Sequence, residues 1–194
     1  MFENGFPIEL KTDLHVVLQY ITEKTHNDIK IKETKKKRSY TLLNGQAISF
    51  PYRIYYLDIY ENISIFFSFE QKMIYHAIFT RSCNGFIREK HLKAILSVSY
   101  PDWIIPYIVK LSDEYVIEIL EDIYEEIHKK DIEKLKIFCD LNLVNYLISY
   151  DRMISYWNVY YRNKYIFYKD YIGYKLFQKC FGYNKNKFKR RRNE

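Results

Sequence analysis

The sequence predicts an all-α fold, and three observations carry that prediction. Apolar residues recur at helical spacing along several stretches, Ser, Asn and Asp residues suited to capping stand just ahead of them, and the 194 residues include only 5 Gly and 4 Pro, too few for a turn-rich β architecture. A composition that is 48% hydrophobic and 19% aromatic can bury a sizeable core, and the length suits one domain rather than two. The expected organisation is an N-terminal helix and basic linker over residues 1–49, a domain of antiparallel helical pairs over 50–181, and a basic tail over 182–194. A short hairpin or irregular segment is allowed for near the N-terminus.

In residues 11–24, KTDLHVVLQYITEK, Leu14, Val17, Leu18 and Ile21 fall at i, i+3, i+4 and i+7, which predicts an amphipathic helix. His15 on it reads as a surface or boundary residue. The pattern then gives way to KIKETKKKR at 30–38, six Lys/Arg against one Glu, expected to be a mobile connection. Asn44-Gly45 between two apolar runs signals a hairpin, while Pro51 ahead of Tyr52 to Tyr60 equally suits a helix start; the reading adopted is a turn or short hairpin followed by a helix. Ser68-Phe-Glu-Gln71 matches a capping box and predicts a helix to about Arg81. Asn84 opens the next, NGFIREKHLKAIL.

Pro101 suits a further helix start, and Pro106 is expected to bend or break the short helix that holds it. Ser112 or Asp113 is expected to cap a helix reaching about Lys130. On its wheel Val116, Ile119, Leu120, Ile123, Tyr124 and Ile127 share one face, with Glu114, Glu118, Glu121, Asp122 and Glu125 on a solvated opposite face. Asp131 is expected to cap a helix to about Cys139, and another covers Leu143 to Ser149. In RMISYWNVYYRNK, Met153, Ile154, Trp157, Tyr160 and Tyr161 predict one apolar, core-facing stripe. A last helix from Asp170 to Phe181 ends at Gly182, a plausible residue for leaving a helix.

An offset of 29 residues superimposes Asn84-Gly-Phe-Ile on Asp113-Glu-Tyr-Val and then on Asn142-Leu-Val, each time a capping-type residue followed by an aliphatic one. In TRSCNGFIREKHLKAIL followed by WIIPYIVKLSDEYVIEIL the chain resembles the short HEAT-type helical repeats of bacteria, clearly over 66–127 and faintly over 128–162. The second unit departs from the pattern, with Ile117 where the first has Arg88. The resemblance implies a HEAT-like stack of helical pairs and a structural role for Arg88 and Asp113 in bonding neighbouring units. It also implies a non-enzymatic cytoplasmic scaffold or adaptor, presenting a groove of second helices to a protein partner. Arg88, Lys90, His91, Glu114, Glu118 and Glu121 are the residues expected to face that partner.

Catalytic signatures point elsewhere than to an enzyme. Phosphate-loop, dinucleotide, zincin, nucleophile-elbow and EF-hand patterns are all missing from the sequence, and no cofactor is expected. His76, Cys83 and His91 flank one predicted turn, but H-x6-C-x7-H matches no common zinc spacing, so no metal site is expected. The fold is also similar to that of HEAT-like alkylpurine DNA glycosylases, although none of their catalytic residues can be placed here. Glu89 and Glu118 are repeat-equivalent carboxylates without a defined separation.

Charge supplies the second functional reading. Of the net +7, the 30–38 segment carries +5 and the 181–194 segment another +5, which leaves the remainder at −3. Lys185, Lys187, Lys189, Arg190, Arg191 and Arg192 form the strongest candidate for a sequence-independent nucleic-acid contact, with Trp157, Tyr160, Tyr161 and Arg162 as stacking groups. Cys83, Cys139 and Cys180 are widely spaced and read as reduced thiols in a cytosolic protein. No run of 18 apolar residues and no leader pattern occurs, so neither a membrane partner nor a signal peptide is expected.

Overall fold

A computed structural model describes residues 2–24, 32–56, 67–127 and 132–184. Among these the protein is predominantly helical, with eight α-helices and four short strands. The chain divides into two compact units, Met1–Ile108 and Val109–Glu194, a division that falls within the expected 50–181 domain rather than at its edge.

In the first unit, α1 (Lys11–Lys24) takes the limits that its apolar spacing predicts, with Leu14, Val17 and Ile21 buried. Where it is described, the basic stretch after it takes part in short strands. β1 (Lys32–Glu33) pairs with β4 (Ile54–Tyr55), and β2 (Lys37–Thr41) pairs with β3 (Ala47–Pro51), both antiparallel. Cations of this segment lie over one ring: Lys36 Nζ is 5.5 Å and the Arg38 guanidinium 6.0 Å from the centroid of Tyr52. Tyr40, Ile48 and Phe50 alternate inward, whereas Ser39 and Ser49 meet Oγ to Oγ at 3.1 Å on the outer face.

The expected Asn44-Gly45 turn is present. Gly45 donates to the Leu42 carbonyl at 2.9 Å and takes φ +85°, a left-handed value that glycine adopts without a Cβ clash. Pro51 does not open a helix, because β3 ends there and the chain goes on into β4; residues 57–66 lie outside the described set. The Ile54 amide donates to the Arg81 carbonyl and its own carbonyl accepts from Cys83, both at 2.9 Å, which fastens β4 to the turn behind α2.

α2 (Phe69–Phe79) starts with both arms of the capping box: Gln71 N donates to Ser68 Oγ at 3.2 Å, and Ser68 N donates to Gln71 Oε1 at 3.1 Å. α3 (Gly85–Leu96) starts at Asn84, whose Oδ1 accepts from Phe86 N at 3.0 Å. The five residues between them make a helical hairpin. α4 (Ile105–Leu111) follows a 3-10 turn at Asp102–Ile104, and Pro106 sits in its first turn without breaking it, since a first-turn amide has no intrahelical acceptor to lose. Tyr107 stacks on Phe50 at 4.3 Å and on Phe6 at 5.4 Å, and its hydroxyl donates to the Gly5 carbonyl at 2.7 Å.

In the second unit, α5 (Ile117–Ile127) begins three residues later than a cap at Asp113 would require. α6 (Ile132–Leu141) follows, and the expected Asp131 cap lies outside the described residues. The two helices expected near 143–149 and 152–161 are one element: α7 (Leu143–Tyr156) runs on into a π-helical turn, Trp157–Tyr161. α8 (Ile172–Lys179) packs on α5 and α7. It starts after a 3-10 turn at Tyr168–Asp170, and the chain leaves it through Gly182 at φ +68°.

Two measurements follow from these elements. Ser68→Ala removes the cap of α2 and should lower stability by about 1 kcal/mol, read as a shift of the urea midpoint at constant slope. Burial raises the Cys180 thiol from its ordinary 9.0 to about 11 and, together with the Asp102 carboxylate, the Tyr100 phenol from 10.0 to about 12. In both cases the unfolded chain ionises first as pH rises. Their stabilisation is therefore complete below those ordinary values and is lost through about pH 9–11 for Cys180 and 10–12 for Tyr100. Urea midpoints should fall across this range, and Cys180→Ala and Tyr100→Phe should each flatten their own part of it.

Candidate functional site

The residues expected to face a partner divide sharply by burial. On α3, Lys90 is exposed, whereas Arg88 and His91 lie in the interior one helical step apart. Arg88 Nη1 donates to the carbonyls of Ser82 at 2.9 Å and Cys83 at 3.0 Å, so the guanidinium closes the turn that joins α2 to α3. His91 stacks on Phe79 with ring centroids 4.9 Å apart, and its Nδ1 lies 2.8 Å from Nδ1 of His76. One of these nitrogens must carry the proton and the other accept it. The structure thus brings the two turn-flanking histidines together, with Cys83 exposed; among the described residues no group of three or more His, Cys, Asp or Glu converges.

Glu114 corrects the wheel drawn from the sequence. It precedes α5 instead of lying on it, and it is buried, whereas Glu118 is exposed and Glu121 half-buried. Arg88, His91 and Glu114 are therefore interior residues and not groove-facing ones. Lys185, Lys187, Lys189, Arg190, Arg191 and Arg192, the candidate nucleic-acid contacts, lie outside the described residues.

Asp113 is the centre of a buried ionic cluster. Lys110 Nζ donates to its Oδ1, both side chains being essentially inaccessible; Ser149 Oγ on α7 donates to Oδ2 at 3.2 Å, and Arg152 Nε stands 3.7 Å from the same oxygen. With these partners around it, Asp113 stands in the turn ahead of α5 and is not its cap, and the helix starts at Ile117. Asn142 differs again among the three repeat-offset positions: it stands at the start of α7, but its Nδ2 donates backwards to the Phe138 carbonyl at 3.0 Å. Only Asn84 acts as the sequence suggests.

A surface that the apolar spacing did not reveal follows α7. The π turn and the loop after it expose Val159 by 68%, Tyr160 by 61%, Ile166 by 74% and Phe167 by 63%. Met153 remains in the core as expected, but Tyr160 does not, because a π turn advances fewer degrees per residue than an α turn and carries the stripe off the core face. Trp157 Nε1 donates to the Tyr165 carbonyl at 2.9 Å, so the loop is tethered under its exposed residues, and the Tyr161 hydroxyl donates to the Tyr115 carbonyl. Cations border the rings: Arg162 lies 5.9 Å from the Trp157 centroid, Lys164 5.2 Å from that of Tyr165 and Lys169 5.9 Å from that of Phe167. The signal in the sequence was Lys164-Tyr-Ile-Phe-Tyr-Lys169, an apolar run between lysines that belongs to neither helical stripe.

Among the described residues no helix is long and apolar enough to cross a membrane. Comparison with protein-family models, with curated proteins and with solved structures finds no match.

The ionic cluster gives a direct test. Asp113→Ala removes the buried carboxylate that Lys110 donates to and should cost about 3–5 kcal/mol, whereas the double variant K110M/D113L, which removes both charges, should lie within about 2 kcal/mol of the parent. Urea denaturation of the parent and the two variants measures both.

Proposed function

We propose that the chain is a non-enzymatic scaffold or adaptor, built on HEAT-like helical pairs, that binds a protein partner through the aromatic and aliphatic surface following α7. The observation that carries this reading is the high exposure of Val159 and Tyr160 on the π turn and of Ile166 and Phe167 on the tethered loop after it, since exposed apolar residues with tyrosine and a cationic rim are what interaction surfaces present. The repeat component draws support from burial. Arg81, Lys110 and Cys139 are interior at successive offsets of 29, as are Arg88, Ile117 and Tyr146, and His91, Leu120 and Ser149. The non-enzymatic component draws on the ionic cluster: its Ser149, Lys110 and Asp113 are all buried, with Ser149 and Lys110 both hydrogen-bonded to Asp113, out of reach of a substrate.

Nucleic-acid binding is the second reading, favoured by Arg162, Lys164 and Lys169 interleaved with rings on that loop and by the basic C-terminal sequence. One set of proteins separates the two. Immobilised parent chain and the variant Y160S/F167S, matched for helical circular dichroism, are compared for specific protein capture, and the parent and a chain lacking residues 184–194 are titrated with a single-stranded oligonucleotide at rising salt. The scaffold reading expects the double variant to lose its captured partner at least about tenfold, two contact aromatics being worth roughly 1–2 kcal/mol each. Unchanged capture overturns it. Salt-steep oligonucleotide binding that the truncation flattens would establish the second reading instead.

A further inference from the structure

The two strand pairs of the first unit carry most of the net charge of the chain. Between Lys32 and Tyr56 stand six Lys/Arg against one Glu, or +5 of the total +7. The chain crosses from β1 to β2 through residues 34–36 and from β3 to β4 through residues 52–53, at the end of the β2–β3 hairpin opposite its Gly45 turn. Backbone bonds hold the two crossings side by side: Tyr52 N donates to the Lys36 carbonyl and Thr34 N to the Arg53 carbonyl, both at 2.9 Å. Cations distant in sequence are thereby gathered at one junction.

Lys36 Nζ and the guanidinium carbons of Arg38 and Arg53 stand 5.5, 6.0 and 4.6 Å from the centroid of the Tyr52 ring, so three positive charges share one ring. Arg53 is fixed there by donation from its Nη1 to the Tyr52 carbonyl at 2.9 Å. Lys32, Lys35, Lys36 and Lys37 are exposed. Among the described residues no carboxylate forms an ion pair with any of these four lysines or with Arg38, and Glu33, the one acid of the stretch, has its Oε2 withdrawn from solvent. Like charges held this close repel one another, and an extended polyanion lying across them relieves that repulsion. An aromatic ring completes the surface: Tyr55 is 51% exposed and stands directly opposite Lys32 in the β1–β4 register. Cations that neutralise phosphates beside an exposed ring on which a base can stack suit a single strand, whereas an acidic peptide brings charge without flat faces and a duplex keeps its base faces covered.

We propose that the junction of the two strand pairs binds single-stranded nucleic acid, with Lys35, Lys36, Lys37 and Arg38 neutralising its phosphates and Tyr55 stacking on a base. The site belongs to the first unit and shares no residue with the loop after α7 or with the C-terminal sequence, so it depends on neither reading given above.

The test uses the full chain, labelled with nitrogen-15 and titrated at several salt concentrations with a short oligodeoxythymidylate, with the same strand annealed to its complement, and with polyglutamate. Saturable shifts with the single strand are expected at the amides of residues 35–38, 53 and 55, and each affinity is read from these amides. Replacing the three exposed lysines together, K35Q/K36Q/K37Q, should make the slope of log affinity against log salt shallower by about 2, since each phosphate contact on a single strand contributes about 0.7. Tyr55→Ser should weaken binding about tenfold and leave that slope unchanged. No saturable shift at these residues, an unchanged slope in the lysine variant, or binding of polyglutamate or the annealed duplex as tight as that of the single strand overturns the proposal. A slope flattened by loss of residues 184–194 and not by the lysine variant removes this site and leaves the second reading standing. If Tyr55→Ser fails to fold, the shifts, the slope and polyglutamate still decide.

Discussion

A lysine ammonium can stay in a helical interior only if a carboxylate stays with it, and Lys110 with Asp113 is the constraint around which the second unit is arranged. Asp113 is held by Lys110, Ser149 and Arg152 and does not cap a helix, and the chain makes a turn before α5 begins at Ile117. That turn takes Glu114 inside with it. The same carboxylate fixes the rotation of α7: with Ser149 facing Asp113, Tyr146 and Met153, one turn to either side, must face inward too. α7 therefore reaches its C-terminal end in a defined orientation, and the π turn at Trp157–Tyr161 then re-aims the residues that follow.

How much of this was legible in the sequence depended on how local the deciding interaction is. Ser68 and Gln71 are three residues apart and bond only each other's backbone, so the capping box could be read directly; Asn84 and the apolar spacing of α1 belong to the same class. The hairpin at Asn44-Gly45 was expected, but β1 and β4 were missed because what orders them is distant. Lys32 pairs with Tyr55, and β4 is held by residues 81 and 83, partners that a basic, pattern-poor segment does not announce. Pro106 misled for a positional reason, since its effect depends on whether it falls in the first turn or later, and only the location of the helix start decides that.

Candidate site residues were harder to read because a charged side chain on a wheel carries no statement of whether it is paired. Arg88, His91 and Glu114 look like surface chemistry in the sequence, yet Arg88 is absorbed by two carbonyls and His91 by a second histidine and a phenylalanine ring. The His76 and His91 contact was legible only as two residues flanking one turn. The exposed loop was hidden for the converse reason: Tyr160 fits an α-helical stripe in register with Met153, and a single π turn is enough to remove it from that stripe.

Tyr107 has a consequence for the order in which the protein acquires its shape during synthesis. Its ring lies against Phe6 and Phe50 and its hydroxyl holds the carbonyl of Gly5, a contact spanning 102 positions of chain. Residues 2–6 leave the ribosome well before the ring they dock on, which is not made until α4 has been translated. This stretch is thus placed only after about a hundred further residues have been added, and Phe2 and Phe6, both buried at the end, spend the intervening time without that shelter. A ribosome that pauses before residue 107 would leave residues 2–6 without their dock.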